Sequence, residues 1–330
     1  MLRIGVDLGG SQLRAARVGA DHAIAAVHRE PVGEPRDVDA IVARLALAIE
    51  QLADVPEAGA PIFDDEPAEV IAVGVGIAAM LRGDDGFVVV SPHLRWREVA
   101  FGDKLAARLG ARYRVHVTND ANAVVWGEVV GGAARGCRDV LGVYVGTGIG
   151  AGVVCGGALV AGASHCAGEL GHVKVRWDEA AEPCRCGGRG CVEAYLGGAY
   201  LERRMRRELA VKGSAAAKSY AVELAGSPEL VAASHVDAAA AAGDAWALGL
   251  WTELAPLLAV ALGNALALLN SERLVLGGGV LSRCPTLVDL VVTTLHLAAP
   301  AACVERLSIV MAELGDDAGL VGAAALAARR

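Results

Sequence analysis

Between Cys184 and Glu193 the chain reads CRCGGRGCVE, three thiols within eight positions, interleaved with glycines and arginines that let a backbone fold tightly around one ion. This is metal-ligand spacing, and a tetrahedral zinc needs a fourth ligand. His172 in AGELGH, twelve residues before Cys184, can supply it, so the predicted centre is His172, Cys184, Cys186 and Cys191. Disulfides are the rival reading, but Cys184 and Cys186 are too close for an unstrained bridge and an odd trio cannot pair off. Reduced structural thiols are the other alternative. Four protein ligands leave zinc no open position, which predicts a structural ion holding a loop where the neighbouring acids Glu169 and Glu193 are aimed.

A second set of residues suits phosphate. Asp7 is followed by Gly9, Gly10 and Ser11, so backbone amides and a hydroxyl face whatever the carboxylate faces. Such a turn fits a phosphate and its metal, although DLGGS alone also reads as an ordinary tight turn. GTGIGAG at 146–152, with Gly146, Thr147 and Gly148, repeats the theme, and the strand expected after it argues against a dinucleotide-binding loop, which opens a helix. Asn119 and Asp120 in NDANA end a strand before a helix, at the edge where open α/β sheets bind ligands. Helix capping is the other role open to either side chain. Gly277 and Gly278 in LGGG end a further strand, where backbone could closely approach a purine and its ribose.

The elements that must position these residues follow from periodicity. Residues 2–18 alternate as two strands joined by GGSQ, a hairpin. A third strand is expected near 23–28, an amphipathic helix over 37–52 and a buried strand in EVIAVGVGI, ending at a turn over 78–83. The prolines and acids of 55–68 mark an exposed loop. FVVV precedes SPHLRW, a helix starts near Phe101, and RVHVT delivers NDANA. Strand, glycine turn and strand recur from Asp139, which suggests a duplicated fold whose lobes hold one nucleotide. Helices follow over 193–209 and to about 242, then a buried helix near 246–269, the strand RLVLGGG and a last helix over 317–328.

Composition sets the class. The 330 residues are 54% hydrophobic but only 4% aromatic, with 42 glycines, which fits helices packed on a sheet with many tight turns. The formal net charge of −8 and the lack of a long basic block leave no electrostatic footprint for nucleic acid or anionic lipid. Glu253, Pro256 and Asn264 interrupt the longest apolar stretch, which reads as a core helix and not a membrane span. The amino terminus has no apolar signal region, so a cytoplasmic protein with small-molecule ligands is expected.

Taken in order and spacing, DLGGS, NDANA, GTGIGAG, ELGH, CRCGGRGCVE and LGGGV resemble the bacterial ROK sugar kinases, and the resemblance spans nearly the whole chain. It implies an actin-like, ribonuclease-H-like α/β fold with a structural zinc site. Its small lobe would be 1–117 plus about 313–330, and its large lobe, with the zinc loop, 118–312. It also implies ATP and Mg2+ as cofactors and a homodimer. Asp120 would be the general base for in-line phosphoryl transfer to a hexose, and Asn119, Glu169, His172 and Glu193 would bind sugar hydroxyls. Gly9, Gly10 and Ser11, with Gly146, Thr147 and Gly148, would hold phosphates. Asp7 would orient Mg2+ or its waters, and Gly277 and Gly278 would fall at the nucleotide.

Three positions depart from the family pattern. Ser11 replaces threonine and keeps the hydroxyl. Ala79 stands where glycine is usual, and His93 replaces an asparagine that helps bind the sugar. Mispaired buried polar groups cost ~1–3 kcal/mol each, enough to shift preference from glucose toward an amino sugar of the kanosamine type or a cyclitol. An ordinary glucokinase is the alternative. A sugar-responsive repressor of the same family is disfavoured, because its helix-turn-helix domain precedes the DxGG turn and Asp7 leaves no room for one.

Overall fold

The computed structural model describes residues 1–54, 70–83 and 85–329, so the loop expected over 55–68 lies outside the described residues. The described chain forms two compact units, one of Met1–Cys137, Gly152–Gly168 and Glu313–Arg330, the other of Arg138–Ala151 and Glu169–Ala312.

The first unit is built on five strands, β1 (Arg3–Leu8), β2 (Gln12–Val18), β3 (Ile24–Pro31), β4 (Ile71–Ile77) and, after three short strands, β8 (Tyr113–Asn119). Their order is β3-β2-β1-β4-β8. The expected hairpin is β1–β2, antiparallel, while β1, β4 and β8 run parallel. All seven residues of β4 are buried, as a strand covered on both faces requires. The core includes Ile41, Leu45 and Ile49 of α1 (Val38–Ala53) and Phe101 and Leu105 of α2 (Phe101–Leu109). Asp37 caps α1 by accepting from the Ala40 amide.

The helix Ala318–Ala328 packs on β1, β4 and α3 (Asp120–Gly131). Its approach is backbone to backbone. A Cβ on Gly5 would lie 1.9 Å from the Leu320 carbonyl oxygen, and one on Gly74 1.8 Å from that of Ala323. Only hydrogen fits at either point, since real interiors leave no such overlap unrelieved.

The turn expected over 78–83 is partly a strand. Met80–Arg82 (β5) pairs with Phe87–Ser91 (β6), which pairs with Trp96–Val99 (β7), a separate antiparallel sheet. The unit boundaries also differ from the expected lobes at 118–137 and 152–168. Packing explains this: α3 lies along the C-terminal helix, and a Cβ on Gly152 would meet Val125 Cγ2 at 2.8 Å.

The second unit contains parallel strands β9 (Val140–Val145), β12 (Arg273–Gly277) and β13 (Ser308–Met311). β10 (Ile149–Cys155) follows β9, and its far end, with the β11 strand (Ala158–Leu159) that it pairs with, belongs to the Gly152–Gly168 segment of the first unit. The GTGIGAG turn is therefore shorter than expected, because Ile149–Gly152 is already strand. Helices α4 (Glu193–Leu196) and α5 (Gly198–Leu209) follow the thiol segment, then α6 (Tyr220–Ala225), α7 (Ala233–Ala241) and α8 (Ala245–Leu269). α8 is the one described helix long and apolar enough to cross a bilayer, and half of its most apolar window is buried. It packs on α7 and on Pro285–Ala298, which fits the core reading.

Candidate active site

Register brings the first group of predicted residues to one edge. Leu8 pairs with Ile77, and Ile77 with Asn119, so three parallel strands end level. The residues just past them are Gly9–Ser11, Ala78–Ala79 and Asp120. Asn119 Nδ2 donates to the Ala79 carbonyl at 3.3 Å, while its Oδ1 accepts the Ala121 and Asn122 amides at 2.9 and 3.3 Å. The capping role is thus Asn119's, which leaves one amide hydrogen for a ligand. Asp120 is the first residue of α3, and its Oδ1 accepts the Ala121 amide at 2.9 Å.

Two of the three departures from the family pattern, Ala79 and His93, lie against this edge. Ala79 is buried and its carbonyl orients Asn119. His93 is exposed, with its Cβ 2.6 Å from where a Cβ on Gly10 would stand, so Gly10 is glycine because His93 is packed on it. The His93 carbonyl is bonded by Arg36.

Asp7 has a partner that motif reading overlooked. Arg14 Nε donates to Asp7 Oδ2 at 3.1 Å and Arg14 Nη2 bonds the same oxygen. The signal was available in the hairpin register, since a GGSQ loop pairing Leu8 with Leu13 sets Asp7 opposite Arg14. A guanidinium there fixes the carboxylate's direction.

In the second unit Glu193 ties the glycine turn to the thiols. Its Oε2 accepts the Ile149 amide at 2.9 Å, its Oε1 lies 4.0 Å from Cys184 Sγ, and a Cβ on Gly148 would strike Oε2 at 2.5 Å. The turn is closed by the Gly146 amide donating to the Gly148 carbonyl, and the Gly146 and Thr147 carbonyls accept from Gly198 and Ala199. Gly277 and Gly278 leave less room than expected. A Cβ on Gly277 would meet the Tyr144 ring at 2.7 Å, and Gly278, at φ +85°, packs on the Val145 backbone. Open space lies instead at Gly279.

The four predicted metal ligands converge. The donor atoms of His172, Cys184, Cys186 and Cys191 all lie within 4.8 Å of one another. Cys186 Sγ is 3.6 Å from Cys191 Sγ, and Cys184 Sγ is 3.6 Å from His172 Nδ1. A tetrahedral ion with metal–sulfur bonds of about 2.3 Å holds two thiolates roughly 3.7 Å apart, so the spacing fits. His172 Nε2 points away, 3.8 Å from Glu169 Oε2. Lys174 Nζ donates to Cys191 Sγ at 2.8 Å, a contact that raises the lysine's pKa. Burial pushes the Cys184 thiol up to about 11. Burial acts the same way on Cys186, but the Gly188 amide, the neighbouring thiols and Lys174 together bring its pKa below the ordinary value.

Fold and site together define a class, and comparison with known proteins identifies it. The sequence profile of the ROK family matches residues 3–330, and the chain belongs to that family. It is 32% identical over 330 residues to a glucokinase of Streptomyces coelicolor, covering 99% of this chain and 97% of that protein. It is 32% identical to an N-acetyl-D-glucosamine kinase of Yersinia pseudotuberculosis, covering 77% of this chain and 79% of that one. The crystal structure of a ROK glucokinase from Streptomyces griseus with glucose and AMPPNP superimposes with a TM-score of 0.77 at 30% identity, over the full length of both chains.

Proposed function

We propose that the protein is an ATP-dependent sugar kinase that phosphorylates glucose or a modified glucose such as an amino sugar, with Asp120 as general base. The observation that carries this reading is the register Leu8–Ile77–Asn119, which sets the DLGGS turn, Ala79 and Asp120 at one strand edge. A sugar hydroxyl is a poor nucleophile, and an aspartate within hydrogen-bond reach can contribute ~10²- to 10⁴-fold by removing its proton. The remaining work is alignment and charge neutralisation. The amides and hydroxyl of Gly9–Ser11, and the turn Gly146–Gly148, would hold phosphates, while Asp7, steadied by Arg14, would orient Mg2+ or its waters. Asn119, Glu169, His172 and Glu193 accept and donate to sugar hydroxyls.

The thiol cluster fits structural zinc on donor type and on its 3.6 Å spacings. When bound, the ion supplies a fixed point for the loop. His172 would present Nδ1 to it, which would leave Nε2, on the side of Glu169, for the sugar. The family resemblance further supports a cytoplasmic homodimer.

Ala79 and His93 carry the substrate reading. Ala79 replaces the smallest residue at the position that orients Asn119, and His93 brings an imidazole beside the DLGGS turn. His93 changes the donors and acceptors offered at this edge and Ala79 its shape, and together they favour a modified sugar over glucose. A coupled assay with ATP and a panel of glucose, 2-amino and 3-amino glucose, N-acetylglucosamine, mannose and cyclitols tests it. A modified sugar should exceed glucose in kcat/KM, and His93→Asn with Ala79→Gly should restore glucose preference. Preference for glucose, unmoved by the double change, would mark an ordinary glucokinase, and no phosphorylation of any sugar would overturn the kinase reading.

A further inference from the structure

In the second unit a cavity of about 250 Å³ opens beside the thiol loop, lined by arginines of the loop and of α5. Four guanidinium groups line it, those of Arg176, Arg203, Arg204 and Arg207. Arg204 is fully engaged, bonding Glu208 Oε1 at 2.8 Å and both oxygens of Glu253 at 2.9 and 2.6 Å. Arg207 faces Glu182 at 3.8 Å, beyond hydrogen-bond length. Arg176 and Arg203 differ from both. They lie over tyrosine rings, Arg176 at 6.0 Å from the Tyr195 centroid and Arg203 at 4.8 Å from that of Tyr200. Arg176 is within electrostatic reach of Glu253, but among the described residues no carboxylate hydrogen-bonds to it or to Arg203.

A guanidinium stacked on an aromatic face keeps its N–H donors in a planar fork at its edge, the geometry that matches phosphate oxygens two at a time. The wall thus has two such forks unclaimed, beside an Arg–Glu set already paired. It also has a mechanical link to the metal loop. The Tyr195 hydroxyl accepts the Glu182 amide at 2.9 Å, and the Tyr200 hydroxyl accepts the Arg185 amide at 2.8 Å. The Arg176 backbone is locked to Gly190, at φ +74°, where a Cβ would lie 1.6 Å from the Arg176 oxygen. The rings that seat the arginines are therefore the rings that hold the loop between Glu182 and Cys191.

We propose that this cavity binds a compact phosphate anion, gripped by Arg176 and Arg203, and that its occupancy stiffens the metal loop through Tyr195 and Tyr200. The shared chemistry is a terminal phosphate, and its source could be orthophosphate, a polyphosphate end or a sugar phosphate. Binding stands on the cavity alone and requires no turnover.

The test is calorimetric titration of the full, metal-loaded chain, without nucleotide, using orthophosphate, pyrophosphate and glucose 6-phosphate. Their ranking identifies the source. Arg176→Ala with Arg203→Ala should weaken the preferred anion at least tenfold, and Arg203→Lys, which keeps the charge but not the fork, should weaken it less. Both arginines are exposed, so truncation leaves the core intact, and the metal content of each variant verifies it. Hydrogen exchange should slow at the Glu182 and Arg185 amides when the anion binds. Undiminished binding in the double variant, slowing confined to 146–148, or no binding at millimolar anion would each overturn the proposal.

Discussion

The strand edge of the first unit and the thiol loop of the second both aim acids, but they are held by different means. Asp7, Ala79 and Asp120 each stand within two residues of a ladder position, and that ladder is backed by a helix whose main chain touches Gly5 and Gly74. Between Val173 and Val192 the chain has only two isolated bridges, Lys174–Cys191 and Pro183–Arg189, besides its turn bonds. Few apolar side chains are buried there, Ala181 and Val192 among them. A segment so poor in ladder bonds and buried surface does not order itself. The strand edge is therefore preformed by the fold, whereas the loop between His172 and Glu193 would, on the zinc reading proposed above, take its order from an ion held by its thiols.

The largest effect should come from the loop's own ligands. Cys186→Ser removes one donor from a centre whose apparent metal-binding energy in small structural motifs is ~10–16 kcal/mol. Metal content should fall below one ion per chain and sugar affinity by more than tenfold, read by elemental analysis and equilibrium binding. Undiminished sugar affinity in the metal-free variant would show that the loop orders itself.

The reciprocal change belongs to the strand edge. Gly74→Ala puts a Cβ 1.8 Å from the Ala323 oxygen, between a central strand and a helix that cannot both move aside. Overpacking of this kind costs ~1–3 kcal/mol or more, so the thermal midpoint should drop by several degrees while the metal stays bound. An unchanged midpoint would mean that the close approach is not what anchors the edge.

A smaller effect tests a region that neither the ladder nor the ion governs. Asp244 caps α8 through the Ala247 amide and also accepts Ser219 Oγ and the Tyr220 amide, each at 2.9 Å. Burial works against its charge, yet these donors outweigh it and leave its pKa below the ordinary 3.8. A depressed carboxylate stabilises fully above its unfolded pKa and loses that contribution as pH falls through the folded value. Asp244→Asn should therefore cost ~1 kcal/mol at neutral pH, and the gap from the unaltered chain should close on acidification below the carboxylate range. Denaturant unfolding at several pH values reads this, and a gap that persists in acid would contradict it.

How much of this was legible in the sequence depended on whether local pattern or long-range packing decided it. The β1–β2 hairpin, the helix behind Asp37, the buried strand before Ala78 and the Cys3His set were readable because period, cap and ligand spacing are local signals. β13 was not, since Ser308–Met311 is a short, half-exposed edge strand without alternation. β5 hid inside an expected turn because its pairing with β6 is set by the other strand. The close approach of Gly277 and Gly278 to Tyr144 and Val145 was not readable either, because those neighbours are more than a hundred residues away and no local pattern reports them. The buried Glu128, which accepts the amides of Ala133, Glu313 and Leu314, went unnoticed for the same reason.

The most direct measurement is backbone hydrogen exchange on the unaltered chain, metal-loaded and after chelation. The account predicts that amides between Val173 and Val192 lose protection when the metal is removed, among them those of Cys184 and Val192, while β1, β4 and β8 keep theirs. Equal protection of the loop in both states, or loss spreading evenly through the strand edge, would contradict it.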